Sequence, residues 1–231
     1  MITFDAARVA IDEVGGPERV LLDTTSVTLT QPMTSVIGPN GSGKTTFLQM
    51  INGLMTPTSG DVRVGELSVT QHLKEVRKRV GFVFSDPAAQ LVMPTVVEDV
   101  QLSLRHLPKS ERKPAAMAML SELGVEDLAS RSVYELSGGQ RQLVALATVL
   151  AVDPEVLVLD EPATLLDLKN TLLLRRTLRD LVDRRGVQVV FSTHDLDFAL
   201  DGHECVFIDS GQVCGMGAPA EVVAEYRSSV A

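Results

Sequence analysis

Tryptophan is absent from this 231-residue chain, and aromatic residues make up only 4% of it. Its core must therefore be built from Val, Leu, Ala and Ile rather than from stacked rings. Cysteine is scarce. Cys205 and Cys214 have no metal-ligand spacing and read as small buried hydrophobes of a reducing compartment. No apolar run approaches the roughly 18–20 residues that a bilayer-spanning helix needs; the longest, 143–152, reads as a buried helix. The start, Met1-Ile2-Thr3-Phe4-Asp5, has neither the basic nor the apolar stretch of a secretory leader. The expectation is a cytosolic protein whose membrane role, if it has one, comes through a partner. Positive charge is also short: 21 Lys and Arg face 30 Asp and Glu, a formal net charge of -9. That balance argues against nucleic acid or anionic lipid as the main partner.

What is present is an alternating pattern. Short β-like runs fill the first forty residues, broken by turn chemistry at 12–17 and at Thr30-Gln31-Pro32. A compact apolar strand, 35–37, leads into a Gly-rich loop and then a helix over 45–52. Residues 80–84 form another strand. Between 95 and 150 the spacing turns helical, over 98–107, 115–123 and 143–150, with Pro108 and Gly124 as punctuation. Apolar strands return at 156–159, 187–191 and 205–208, the first two joined by a helical stretch at 169–184. Uniformly apolar strands are those of a parallel sheet covered on both faces. The chain reads as one α/β domain over 1–231, with 1–85 and 151–231 as its core and 86–150 as a helical subdomain.

Gly38-Pro39-Asn40-Gly41-Ser42-Gly43-Lys44-Thr45 fits Gly-x-x-x-x-Gly-Lys-Ser/Thr at every position. Glycines let successive N–H groups point inward at phosphate oxygens, and the following helix aims its positive end at the same place. Lys44 would reach the β- and γ-phosphates and the Thr45 hydroxyl would ligate Mg²⁺, with Thr46 completing the nucleotide-binding run. Downstream, the 156–159 strand runs straight into Asp160-Glu161-Pro162. Asp160 would then help hold Mg²⁺, directly or through water, and Glu161 would accept a proton from the attacking water. Taken alone, this pair is equally an acidic turn.

Ser137-Gly138-Gly139-Gln140 opens the helix over 143–150. Ser137 and Gln140 have capping-box spacing, so the plain reading is an N-cap. The two glycines also bare N–H groups to which a phosphate can come close. One chain already has its phosphate loop, so a second such place implies ATP shared between two subunits.

With these motifs in this order, the chain resembles an ATPase of the ABC transporters along nearly its whole length. The resemblance implies a P-loop NTPase fold with a mainly parallel sheet, an N-terminal antiparallel β part and a helical subdomain. It matches the family's signature to Leu136–Gln140 and its two carboxylates to Asp160 and Glu161. It places a switch histidine that contacts the γ-phosphate at His194. Asp167 falls in the loop that communicates across the dimer. Two departures stand out. Ser85 occupies the place of a glutamine that senses Mg²⁺ and the attacking water, with Gln90 five residues on. Val9, Ala10 and Ile11 stand where an aromatic ring would stack on adenine, so ATP binding is expected to be weaker or less base-selective.

The stretch 90–100 resembles the energy-coupling-factor importers of vitamins and transition-metal ions, and 161–170 resembles the biotin-type members. The resemblance implies biotin as transported molecule, or else cobalt or nickel. It also implies a homodimer or a dimer with a related ATPase, seated on the cytoplasmic face of the membrane. The membrane partners would be a coupling protein, whose coupling helix docks at 85–105, and a substrate-binding protein; Leu91, Val92, Met93 and Val96 either line that docking groove or pack into the core. An ATPase of another ABC transporter class is one competing reading; a soluble ATPase acting on nucleic acid is a second, but it usually has tandem cassettes or long insertions. A catalytically impaired subunit is another, motivated by Ser85.

Overall fold

The computed structural model describes residues 1–12, 16 and 18–230. Of the turn expected at 12–17, residues 13–15 and 17 lie outside them. In chain order the elements are β1 (Ile2–Ile11), β2 (Arg19–Leu29), β3 (Met33–Ile37), α1 (Lys44–Ile51), β4 (Ser59–Val64), β5 (Leu67–Ser68), α2 (Leu73–Arg79) and β6 (Val80–Val83). Next come three helices, α3 (Val96–Ser103), α4 (Lys109–Glu122) and α5 (Gly138–Leu150). The chain ends with β7 (Val156–Leu159), α6 (Leu168–Arg185), β8 (Gln188–Ser192), α7 (Leu196–Ala199), β9 (Glu204–Asp209), β10 (Gln212–Gly217) and α8 (Pro219–Ser229).

Two sheets result. The larger has the order β10-β9-β3-β8-β7-β6, parallel except for β10, which returns antiparallel along β9. The smaller is antiparallel, β2-β1-β4-β5. β7 shows why the core strands are apolar throughout. Leu157 and Leu159 join the cluster packed under α3, α4 and α5, whereas Val156 and Val158 join the cluster shared with β1, β4 and α1. Alternate residues of one strand thus bury themselves on opposite faces. Phe4 of β1 stacks on Phe47 of α1 with ring centroids 4.2 Å apart, one of few aromatic pairs in a core otherwise aliphatic.

The helical segment departs from expectation at its edges. The helix expected over 98–107 stops at Ser103, and the one expected from 115 begins at Lys109, directly after Pro108. Lys109 to Lys113 are polar throughout and carry no apolar period, so the spacing hides that first turn and a half. Pro114 sits inside α4 and removes one N–H from its ladder.

Candidate active site

β3, in the middle of the sheet, delivers the chain to the phosphate loop. Gly38 has φ 146°, and a Cβ there would stand 1.9 Å from the carbonyl oxygen of Ile208. Gly43 has φ 107°, with the carbonyl oxygen of Leu21 only 2.9 Å from where a Cβ would sit. Neither position admits a side chain. Lys44 is 7% exposed and folds back over the loop, its Nζ donating to the carbonyls of Gly38 at 2.9 Å and Pro39 at 3.0 Å. Burial lowers the ammonium below the ordinary lysine value, and the facing carboxylates of Glu161 and Asp160 oppose that shift. The Ser42 hydroxyl is buried in the loop without a hydrogen-bond partner among the described residues. An orphaned hydroxyl in a glycine-lined cradle fits an anion whose oxygens would satisfy it.

Two strand ends bring the remaining groups together. Thr45 Oγ1, in the first turn of α1, donates to Asp160 Oδ2 at 2.9 Å just past β7. The other carboxylate oxygen accepts from Ser192 Oγ at 2.7 Å, and that same hydroxyl accepts from the N–H of Glu161 at 2.9 Å. β8, which ends at Ser192, lies between β3 and β7, so Ser192 joins the two carboxylate residues. Sequence reasoning gave Ser192 no role; its place one residue after an apolar run and two before His194 was the available signal. Glu161 has φ 48°, rare for a residue with a side chain. Its Oε2 accepts from the His194 N–H at 3.2 Å and lies 2.7 Å from His194 Nδ1.

A hydroxyl and a carboxylate are hard oxygen donors of the kind Mg²⁺ takes. Among the described residues no cluster of three or more His, Cys, Asp or Glu forms a cage.

The Ser137–Gln140 turn stands apart. Ser137 Oγ accepts from the Gln140 N–H at 3.3 Å and Gln140 Oε1 accepts from the Ser137 N–H at 3.0 Å, so the capping box is formed. Among the described residues no hydrogen bond joins this turn to 38–46. Gly138 and Gly139 instead lie against Leu165 and Leu166. Asp167 caps α6, accepting from the Asn170 N–H at 2.8 Å.

Gln90 does not stand in for the residue missing at 85. Its Oε1 accepts from the Phe84 N–H at 3.3 Å, and its Nε2 donates to the Ala145 carbonyl at 3.1 Å and the Thr148 hydroxyl at 3.3 Å. Its amide is spent on tying the end of β6 to α5. Of the four residues expected to line a docking groove, Leu91 and Val96 are core, Met93 is half-buried and Val92 is exposed. Cys205 is buried as expected, but Cys214 is exposed, because β10 is an edge strand.

Fold and site together define a phosphate-loop nucleotide-binding cassette. The ABC transporter family pattern matches residues 22–164, and the chain belongs to that family and is an ABC-type ATP hydrolase. Among its relatives is the biotin transport ATP-binding protein BioM of Rhizobium etli, 37% identical over 232 residues, covering 100% of this chain and 99% of that one. The energy-coupling factor transporter ATP-binding protein EcfA of Methanoculleus marisnigri is 41% identical over 192 residues, 81% of this chain and 69% of that one. An ATP-binding cassette solved as a dimer in a post-hydrolysis state with ADP and Pi superposes with a TM-score of 0.89 at 28% identity, over 95% of this chain and 99% of that one.

Proposed function

We propose that this chain hydrolyses MgATP to drive uptake of a small molecule through a membrane importer of the energy-coupling-factor type, with biotin as the favoured cargo and a transition-metal ion as the alternative. One observation carries the chemical half of this reading: Thr45 meets Asp160, and Glu161 meets His194, beside a single glycine-lined loop. The backbone N–H groups of the loop from Gly38 to Thr46, apart from Pro39, which has none, and the ammonium of Lys44 hold the triphosphate. Thr45 and Asp160 would hold Mg²⁺, which when bound would supply positive charge against the phosphate oxygens. Glu161 takes the proton of the attacking water, oriented by Ser192 behind it and by His194, which also faces the γ-phosphate.

The exposed Ser137–Gln140 turn of a sister chain, identical or related, closes over the nucleotide. The lack of any hydrogen bond among the described residues between this turn and the chain's own phosphate loop supports that arrangement. No helix among the described residues is long and apolar enough to cross a membrane. On this reading the chain is peripheral, at the cytoplasmic face, and joins an integral-membrane coupling protein and a substrate-binding membrane protein. The kinship with BioM and EcfA supports the importer class and, for BioM, the cargo. Glu161→Gln tests the mechanism. Steady turnover should fall by about 10²-fold or more while an ATP-bound dimer accumulates in size-exclusion chromatography. Undiminished turnover in that variant would refute the base. Purifying the complex from membranes and identifying its bound small molecule by mass spectrometry tests the cargo.

A further inference from the structure

The phosphate loop opens on one side into a groove of about 440 Å³. One wall is the loop and the start of α1, at Gly41, Gly43, Lys44, Thr45 and Thr46. The facing wall is the start of β2, Arg19, Val20 and Leu21, and the turn at Ser210-Gly211 completes it. This contact is built in: Gly43 lacks a side chain because the Leu21 carbonyl lies against it, and the Gly211 N–H donates to the Ser42 carbonyl at 2.8 Å. A base joined through ribose to a triphosphate on this loop has this groove beside it.

The residues expected to supply a ring here do not. Val9 and Ala10 are buried and Ile11 is aliphatic. In the β1–β2 register, however, Ile11 pairs directly with Arg19. Residues opposite each other in antiparallel strands have Cβ atoms about 4.5–5.5 Å apart. Arg19 therefore reaches the neighbourhood that a side chain at position 11 would serve. Its guanidinium makes no hydrogen bond or ion pair among the described residues. The nearby acids are taken, since Glu18 is held by both terminal nitrogens of Arg8, at 3.1 and 2.6 Å, and Asp23 also lies beside Arg8. Val20, 41% exposed, adds an apolar surface next to it.

We propose that Arg19, with Val20, forms the base-binding wall of this nucleotide site, its planar guanidinium stacking on the purine where an aromatic ring is missing. The inference rests on the ATP site proposed above. A guanidinium plane stacks on aromatic faces and does so with any purine. ATP and GTP therefore bind with similar affinity.

Calorimetry with MgATP and with magnesium tripolyphosphate separates base from phosphate. Arg19→Ala should weaken MgATP about fivefold or more and leave tripolyphosphate unchanged, which also shows that the variant is folded. Because the chain has no tryptophan, Arg19→Trp places a single reporter at the wall. It should restore ATP affinity, and its emission should change on addition of MgATP but not of tripolyphosphate. Equal losses for both ligands in Arg19→Ala would make Arg19 a phosphate contact and overturn the proposal, as would unchanged ATP affinity. Wild-type protein that binds neither ligand would remove the phosphate site itself, and both readings with it.

Discussion

His194 Nδ1 and Glu161 Oε2 lie 2.7 Å apart, and the backbone N–H of His194 reaches the same oxygen. The carboxylate is thus held from one side by a residue at the end of β8, while Ser192 holds the Glu161 N–H from behind. A base needs this fixed aim more than it needs basicity, because proton transfer requires hydrogen-bond reach. His194→Ala should lower turnover by about 10²-fold with MgATP affinity changed little. Equilibrium binding beside single-turnover hydrolysis would separate the two, and a large loss of binding with normal hydrolysis would count against this role.

Ser192 is fully buried and divides one hydroxyl between Asp160 and the Glu161 N–H. Ser192→Ala should cost about 1–3 kcal/mol of stability, since it leaves buried polar groups unpaired. It should also raise the Mg²⁺ concentration needed for half-maximal turnover. Ser192→Thr, which keeps the hydroxyl, should recover much of both. A Mg²⁺ titration at fixed ATP that overlays the wild-type curve would count against the link to Asp160.

Gln90 is a brace and not a sensor. Gln90→Leu should lower the urea midpoint, corresponding to a loss of about 1–3 kcal/mol, because the Phe84 N–H loses its partner. The Ala145 carbonyl keeps the Thr148 hydroxyl as a partner, so the loss comes from the Phe84 N–H. If the side chain instead served the attacking water, turnover would collapse at unchanged stability. Parallel urea and ATPase measurements tell these outcomes apart.

The two thiols should differ in reactivity. Burial pushes the Cys205 thiol up to about 11, with the Ser35 hydroxyl pulling the other way. At pH 8 its thiolate fraction is then only about one in a thousand. Iodoacetamide should modify exposed Cys214 and spare Cys205, as read by peptide mass spectrometry. The folded value lies above that of an unfolded thiol, near 8.5, so protonated Cys205 contributes stability below that pH. That contribution is lost as the pH rises toward about 11. Rapid labelling of Cys205 in folded protein at pH 8 would contradict this.

The chain order of the motifs was enough to anticipate a parallel sheet with a phosphate loop, because each signal is local. Gly38–Thr45 is one contiguous turn, and 156–161 is one strand with its end. What stayed hidden was set by packing across the sheet. Ser192 matters only because β8 runs between β3 and β7, an order that no single segment states. Nothing in the sequence gave Gln90 a role, because the α5 groups that take up its amide lie 55 and 58 residues away. The start of α4 was masked by its charged first residues. Arg19 reaches the groove only through the β1–β2 register.

Gly138 and Gly139 rest on Leu165 and Leu166, a few residues beyond Glu161 and just before Asp167. On the proposed arrangement, the helix start that each copy would lend to its sister is seated on the loop that leaves Glu161, the proposed proton acceptor. A shift in one would then press on the other, because the glycine backbone lies against Leu165 and Leu166. Two such copies facing each other would make a closed circuit, in which neither catalytic centre rearranges as a private event.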